Sequence, residues 1–173
     1  MKRAFTLIVF LLFCTLSQAQ SFYVQYSGTP NFDSGFTTLT EAGRDFSPII
    51  YSSSTTRISV YYQNFWDYIY RPNRPWKIRF HVNNISSNWK YGRMYLEMRR
   101  IGTGSVVHGY YSGNTPQIFG YEHYTRLHHN NNDELWGWHG IANIPFKFRL
   151  RGASVFQGAG DFSATVTFTV YDR

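Results

Sequence analysis

The stretch from residue 144 to residue 172 constrains the fold more than any other, because apolar and polar side chains alternate along it. The apolar positions are Ile144, Phe146, Phe148 and Leu150, followed by Phe162, Ala164, Val166, Phe168 and Val170. Successive side chains of a β-strand point to opposite sides, so a period of two predicts one face on a core and one in water. We predict two long strands of one antiparallel sheet.

Shorter stretches with the same alternation precede this segment, for example residues 76–82 and 94–98. Aromatic residues make up 20% of the chain, and such residues fit a pleated, half-buried surface better than a helix. Eight or nine short strands separated by turns, with no helix, predict an all-β fold consisting of a single antiparallel β-sandwich. A barrel is the structural alternative.

The first nineteen residues have the pattern of a secretory signal peptide. Residues 1–3 carry two positive charges, residues 4–16 are an apolar run, and residues 17–19 end in a small-residue cleavage site. Removal of residues 1–19 would also remove Cys14, the one cysteine of the chain. We therefore predict a cysteine-free mature domain over residues 20–173, without a membrane-spanning segment, exported to the periplasm, outer surface or medium of a bacterium.

The end of the chain also carries a family resemblance. A strand led by Ile144 and Pro145 is followed by Gly158-Ala159-Gly160 and then by the alternating run over residues 161–170. These features resemble the end of the secreted pilin-type domains of chaperone–usher fibres, the spore coat protein U-like group in particular. The resemblance implies an extracellular, Ig-like and pilin-like sandwich that acts as a fibre subunit.

Basic side chains occupy the outward positions of two predicted strands. They are Lys77, Arg79 and His81 on the first, and Lys147, Arg149 and Arg151 on the second. If these strands are neighbours in one sheet, they form a cationic face suited to polyanions. The alternative is a solvated face that Glu97 partly neutralises. Nucleic-acid binding is not expected, because no recognised module accompanies the charge.

Aromatic residues form a second candidate site. Phe65, Trp66, Tyr68 and Tyr70 lie in a segment that proline interrupts, and Trp136 and Trp138 share one face of a predicted strand near Tyr121 and Tyr124. Flat aromatic faces stack on sugar rings, so the candidate carbohydrate-binding residues are Trp66, Tyr68, Trp136 and Trp138. The alternative is that these rings pack in the core.

Histidines form a third candidate site. His123, His128, His129 and His139 flank Asp133 and Glu134, and imidazole and carboxylate groups are ligands for zinc or copper. His128 and His129 are the candidate metal ligands. The alternative is a loop of incidental histidines, and no cofactor is expected.

No catalytic motif is visible, and the 10 acidic residues are scattered, so we predict a non-enzymatic protein. The leading hypothesis is a cell-surface structural or adhesive subunit. Its terminal strands, residues 21–26 and 162–171, would pair within the domain, with other copies of the chain, or with envelope or surface proteins. The alternatives are a carbohydrate-binding module that binds polysaccharide and a histidine-based metal-binding envelope protein.

Overall fold

The computed structural model describes residues 21–30, 32, 49–70, 73–83, 94–107, 115–127, 134–152 and 164–173. These ranges contain eleven strands and one helix. The strands are β1 (Phe22–Ser27), β2 (Ile49–Tyr51), β3 (Thr56–Tyr62), β4 (Pro75–Asn83), β5 (Tyr95–Arg100), β6 (Ser105–Val106), β7 (Ile118–Phe119), β8 (Thr125–Arg126), β9 (Glu134–Trp138), β10 (Ile141–Arg151) and β11 (Thr165–Asp172), and the helix is α1 (Phe65–Tyr70). The predicted signal peptide lies outside the described residues.

The described strands form two antiparallel sheets that pack face to face. The large sheet has seven strands in the order β1-β3-β10-β5-β8, with β2 and β6 also paired to β10. The small sheet has four strands in the order β11-β4-β9-β7. The predicted all-β sandwich is therefore confirmed.

The two strands that end the chain belong to different sheets. Strand β10 lies at the centre of the large sheet, between β3 and β5, whereas β11 pairs with β4 along all eight of its residues at the edge of the small sheet. The prediction that both strands share one sheet is wrong. Alternation specifies which side chains face the core, but both inner faces of a sandwich meet the same core, so the pattern cannot choose the sheet.

The core lies between the sheets and consists of the inward residues that alternation predicts. Trp76, Ile78 and Phe80 of β4 are fully buried, as are Ile144 and Phe146 of β10. The indole Nε1 of Trp76 donates a hydrogen bond of 2.6 Å to the carbonyl oxygen of His139, so this large polar ring is satisfied inside the core.

A β-bulge shapes the central strand. The register of β10 against β3 shifts between Ile141 and Ile144, where Asn143 adopts a left-handed conformation with φ of 59°. The amide of Asn143 donates to the hydroxyl oxygen of Ser59 at 3.0 Å, which satisfies a group that the bulge removes from the ladder. Asparagine tolerates this conformation better than most residues.

The helix α1 joins β3 to β4 and was not predicted. The sequence predicts a loop or an edge strand in this proline-interrupted segment and no helix in the chain. Both predictions are wrong for residues 65–70. Asn64 precedes the helix, and its Nδ2 lies 3.5 Å from Oδ2 of Asp67 in the first turn. Such residues favour a helix start. Within the described ranges, no helix is long and apolar enough to cross a membrane.

Candidate binding surfaces

Four exposed apolar residues of the described chain lie together on α1, which we call the aromatic helix. Their exposed fractions are 68% for Phe65, 64% for Trp66, 44% for Ile69 and 73% for Tyr70. Because residues four apart share a helix face, the rings of Trp66 and Tyr70 stack, with centroids 5.7 Å apart and planes inclined by 17°. Large apolar patches of this kind mark binding surfaces. Tyr68 belongs to the helix, but its side chain lies outside the described part.

The aromatic helix is anchored at the end of the sandwich where Ser21 and Asp172 meet. The amide of Gln63 donates to the carbonyl oxygen of Ser21 at 2.8 Å. Beyond the helix, a guanidinium nitrogen of Arg74 lies 2.9 Å from Oδ2 of Asp172, and another donates to the hydroxyl oxygen of Ser21 at 2.6 Å. The chain is therefore fixed before and after the helix, while the helix itself faces solvent.

Trp136 and Trp138 lie together on the outer face of the small sheet, half-buried. Phe119 of β7 stacks on Trp136 with centroids 4.4 Å apart and planes inclined by 18°. The guanidinium carbon of Arg173 lies 4.3 Å from the Trp136 ring centroid and approaches from the β4 side of β9. Trp138 meets the Trp136 ring edge-on at 5.0 Å. The faces of Trp136 are thus occupied by its own neighbours.

The tyrosines expected beside these tryptophans lie elsewhere. Tyr121 is 5% exposed and packs in the core against Phe80, with centroids 4.8 Å apart. Tyr124 lies beside Arg149, on the outer face of the large sheet. The chain crosses from the small sheet to the large sheet between β7 and β8, which separates these rings from Trp136.

The predicted basic stripe does not form as one face. Lys77, Arg79 and His81 lie on β4 of the small sheet, and Lys147, Arg149 and Arg151 lie on β10 of the large sheet. The two strands are in different sheets of a sandwich, so their outward faces point in opposite directions.

On the small sheet, the carboxylate of Glu134 forms ion pairs with two of the basic side chains. Oε1 of Glu134 lies 3.2 Å from Nζ of Lys77 and 2.8 Å from a guanidinium nitrogen of Arg79. Burial by itself would raise the pKa of Glu134, but the hydrogen bonds from Arg79 and Lys77 outweigh it and lower the pKa below its ordinary value.

On the large sheet, Glu97 is the centre of a denser cluster. Its side chain is 7% exposed, accepts a hydrogen bond from Nε of Arg149 and lies 3.7 Å from a guanidinium nitrogen of Arg151. Burial would lower the pKa of Arg149, but the bond to Glu97 reverses this and raises it. Burial also raises the pKa of Tyr124, on whose ring Arg149 lies.

The histidine site stays a prediction. His128, His129 and Asp133 lie outside the described residues. His123 is exposed, and His139 turns the chain between β9 and β10 with φ of 63°. In the ranges that the structure describes, no three histidine, cysteine, aspartate or glutamate side chains are grouped to hold a metal ion.

Several residues of these surfaces were not identified from the sequence. Phe119 and Arg126 lie in two-residue strands and Arg173 follows the last strand, so no long alternation marks their outward side. Alternation over residues 94–99 does predict that Arg99 faces outward, but it does not assign Arg99 to a site. The net positive charge of the chain indicates a cationic surface, but it does not show where the arginines come together in the fold.

The fold and these surfaces define a two-sheet antiparallel β-sandwich with an aromatic helix at one end and an arginine-rich outer face. No protein family, curated protein or solved structure matches this chain. The resemblance to pilin-type domains therefore stays a prediction.

Proposed function

We propose that this protein is an exported, non-enzymatic adhesive module that binds carbohydrate through the aromatic helix. The observation that carries the proposal is the exposure of Trp66 and Tyr70, at 64% and 73%, on a segment whose two flanks are fixed. Exposing two stacked rings to water opposes the hydrophobic effect, so a surface that keeps them there is best explained by a ligand.

Carbohydrate is the ligand that fits the chemistry of this surface. Flat rings of tryptophan and tyrosine offer apolar area at a small cost in side-chain entropy, together with an N–H or O–H group at the rim. Phe65 meets Trp66 edge-on at 5.9 Å, which widens the apolar surface beside the Trp66–Tyr70 stack. Asn64 and Asp67 supply polar groups next to the rings.

Affinity electrophoresis through gels that contain neutral polysaccharides tests this proposal, because such polymers do not respond to the charge of the protein. We expect one or more polysaccharides to retard the wild-type domain, and we expect Trp66→Ala and Tyr70→Ala to abolish that retardation. Ile69→Ala is the matched control, because Ile69 is exposed on the same helix but offers no ring. Equal retardation of the wild type and Trp66→Ala, or none with any polysaccharide, would contradict the proposal.

A structural role through strand pairing is the second candidate function. Strands β1 and β11 are the edges of their sheets and contact each other along one side of the sandwich. No charged residue occurs from residue 22 to 27 or from 165 to 171. Edge strands with no proline and with no charge before their last residue can pair with another strand, so these edges suit assembly with a second copy.

In such an assembly, a partner would not supply a strand that is missing from the domain. Each residue of β1 pairs with β3, and each residue of β11 pairs with β4. A partner strand would therefore add to the outer edges rather than replace a missing strand.

Light-scattering mass after size exclusion tests this second role. We expect oligomers of the wild type and a monomer for Thr165→Lys, since a lysine on an edge strand opposes pairing. Thr103→Lys, in the connection between β5 and β6, is the exposed control. A monomeric wild type at high concentration would rule out self-assembly through these edges.

A further inference from the structure

We infer that the outer face of the large sheet is a second binding site, specific for polysaccharides that carry carboxylate or sulfate groups. The site is separate from the aromatic helix and comprises the cations around Glu97, which we call the basic face. Its members are Arg99, Arg126, Lys147, Arg149 and Arg151.

Strand register brings these groups together. Arg149 pairs with Tyr51 on one side and with Glu97 on the other, and Glu97 in turn pairs with Arg126. The neighbouring pairs are Arg151 with Tyr95 and Lys147 with Arg99. Directly paired residues of antiparallel strands project from the same face, so cations from three strands share one surface.

Among the described residues, this face carries far more positive than negative charge. The described ranges contain five carboxylate side chains, and only Glu97 lies among the cations of the basic face. The other four are Asp67, Glu122, Glu134 and Asp172, which lie on α1, beside Arg100, on the small sheet and at the end of β11. Five cations and one carboxylate give this face a positive potential that attracts anions, although Lys147 also donates to the carbonyl oxygens of Ser52 and Ser53.

Glu97 positions arginine side chains of the basic face but neutralises only part of their positive charge. Its carboxylate is 7% exposed and accepts a hydrogen bond from Arg149, which is 17% exposed, whereas Arg151 lies 3.7 Å away and is 39% exposed. A guanidinium group has five N–H donors in a planar fork, and one carboxylate uses only some of them. The remaining donors suit bidentate hydrogen bonds to carboxylate or sulfate oxygens.

Two tyrosine rings hold the guanidinium groups in place. The guanidinium carbon of Arg126 lies 4.4 Å from the ring centroid of Tyr95, and that of Arg149 lies 4.1 Å from the centroid of Tyr124. Arg151 and Arg99 approach the same two rings, at 5.6 Å and 5.8 Å. The two rings therefore position four guanidinium groups, an arrangement that suits an anionic ligand.

The layout suits a polymer with repeated charges. Adjacent strands lie about 4.8 Å apart, and residues two apart along a strand are separated by about 6.7 Å. The cations therefore form a two-dimensional array, and a chain bearing one anion on each sugar can contact several of them at once. Multiple weak contacts on one chain raise the total affinity.

Calorimetric titration with polygalacturonate, a sulfated dextran and neutral dextran tests this site. We expect both anionic polymers to bind and neutral dextran not to bind. Raising the salt concentration from about 0.05 to about 0.5 M should weaken binding strongly, because the contacts are exposed charges. This measurement needs no variant. Binding of neutral dextran with equal affinity, or binding insensitive to salt, would overturn the inference.

Variants locate the site. We expect Arg99→Gln combined with Arg126→Gln to raise the dissociation constant for the anionic polymers roughly tenfold. Arg173→Gln removes one positive charge from the small sheet and should leave this dissociation constant nearly unchanged. An equal loss in Arg173→Gln would show a mere effect of net charge and overturn the site. Tighter binding of double-stranded DNA than of either polymer would overturn the assignment to polysaccharide.

Discussion

The side chain of Arg100 on the large sheet donates a hydrogen bond from Nε to the carbonyl oxygen of Gly120, which follows β7 of the small sheet, at 3.2 Å. A second nitrogen lies 3.5 Å from the carbonyl oxygen of Ile118. The side chain is only 8% exposed, and burial lowers its pKa. Arg100 thus ties the two sheets together where the chain crosses between them.

Replacement of this arginine should therefore destabilise the fold. We expect Arg100→Met to lower the free energy of unfolding by about 1 to 3 kcal/mol, because it leaves part-buried carbonyl groups without a donor. Urea denaturation measures the loss. Arg99→Met is the control, since Arg99 is exposed and its replacement should cost at most about 0.5 kcal/mol. Equal stability of the two variants would show that Arg100 does not join the sheets.

The ion pairs of Glu134 should make stability depend on pH in the acid range. Its pKa in the folded protein lies below the ordinary value of 4.5, so its contribution is complete above that pH and is lost as the pH falls through the folded pKa. We expect Glu134→Gln to be less stable than the wild type at neutral pH and to approach it in acid. Thermal unfolding across the acid range measures the difference.

Glu122→Gln is the matched control for this titration. Glu122 also pairs with an arginine, at 3.2 Å, but its side chain is 62% exposed, so its contribution is small. A difference between wild type and Glu134→Gln that stays constant from neutral to acid pH would contradict the role of the carboxylate charge.

The close approach of β7 to β9 should make Gly137 intolerant of a side chain. A Cβ atom there would lie 2.6 Å from the carbonyl oxygen of Gln117 and 2.9 Å from the ring of Trp76. We expect Gly137→Ala to lower the free energy of unfolding by about 1 to 3 kcal/mol. At Gly140 the nearest atom would be 3.3 Å away, so Gly140→Ala should cost less. Denaturant titration compares them, and the reverse order would disprove this packing.

Alternation predicted the inward side chains well and the neighbours of each strand poorly. The buried residues of β4 and β10 follow directly from a period of two, because that period is the geometry of a strand. The sheet to which β11 belongs depends on the crossing connection and on the partner strand, neither of which leaves a local pattern. The prediction that the basic side chains of β4 and β10 form one face was wrong for the same reason.

The candidate sites also combine features that the sequence predicts with features that it does not. Trp66 was a candidate because of its residue type, and its exposure depends on a short helix that the neighbouring proline and aromatic residues did not reveal. Arg100 occupies an inward position of β5, after Leu96 and Met98. A charged residue at an inward position of an alternating strand indicates a buried ion pair or a hydrogen bond to another element. This signal is present in the sequence and would have identified Arg100.

The most direct test of the carbohydrate proposal is a titration followed through the indole N–H signals of a ¹⁵N-labelled domain. Trp66 is exposed, whereas the indole N–H of Trp76 is buried and bonded to His139, so Trp76 serves as an internal reference. We predict that a neutral polysaccharide fragment that retards the domain shifts the Trp66 signal and leaves the Trp76 signal in place. Saturating binding with an unmoved Trp66 signal would contradict a site on the aromatic helix.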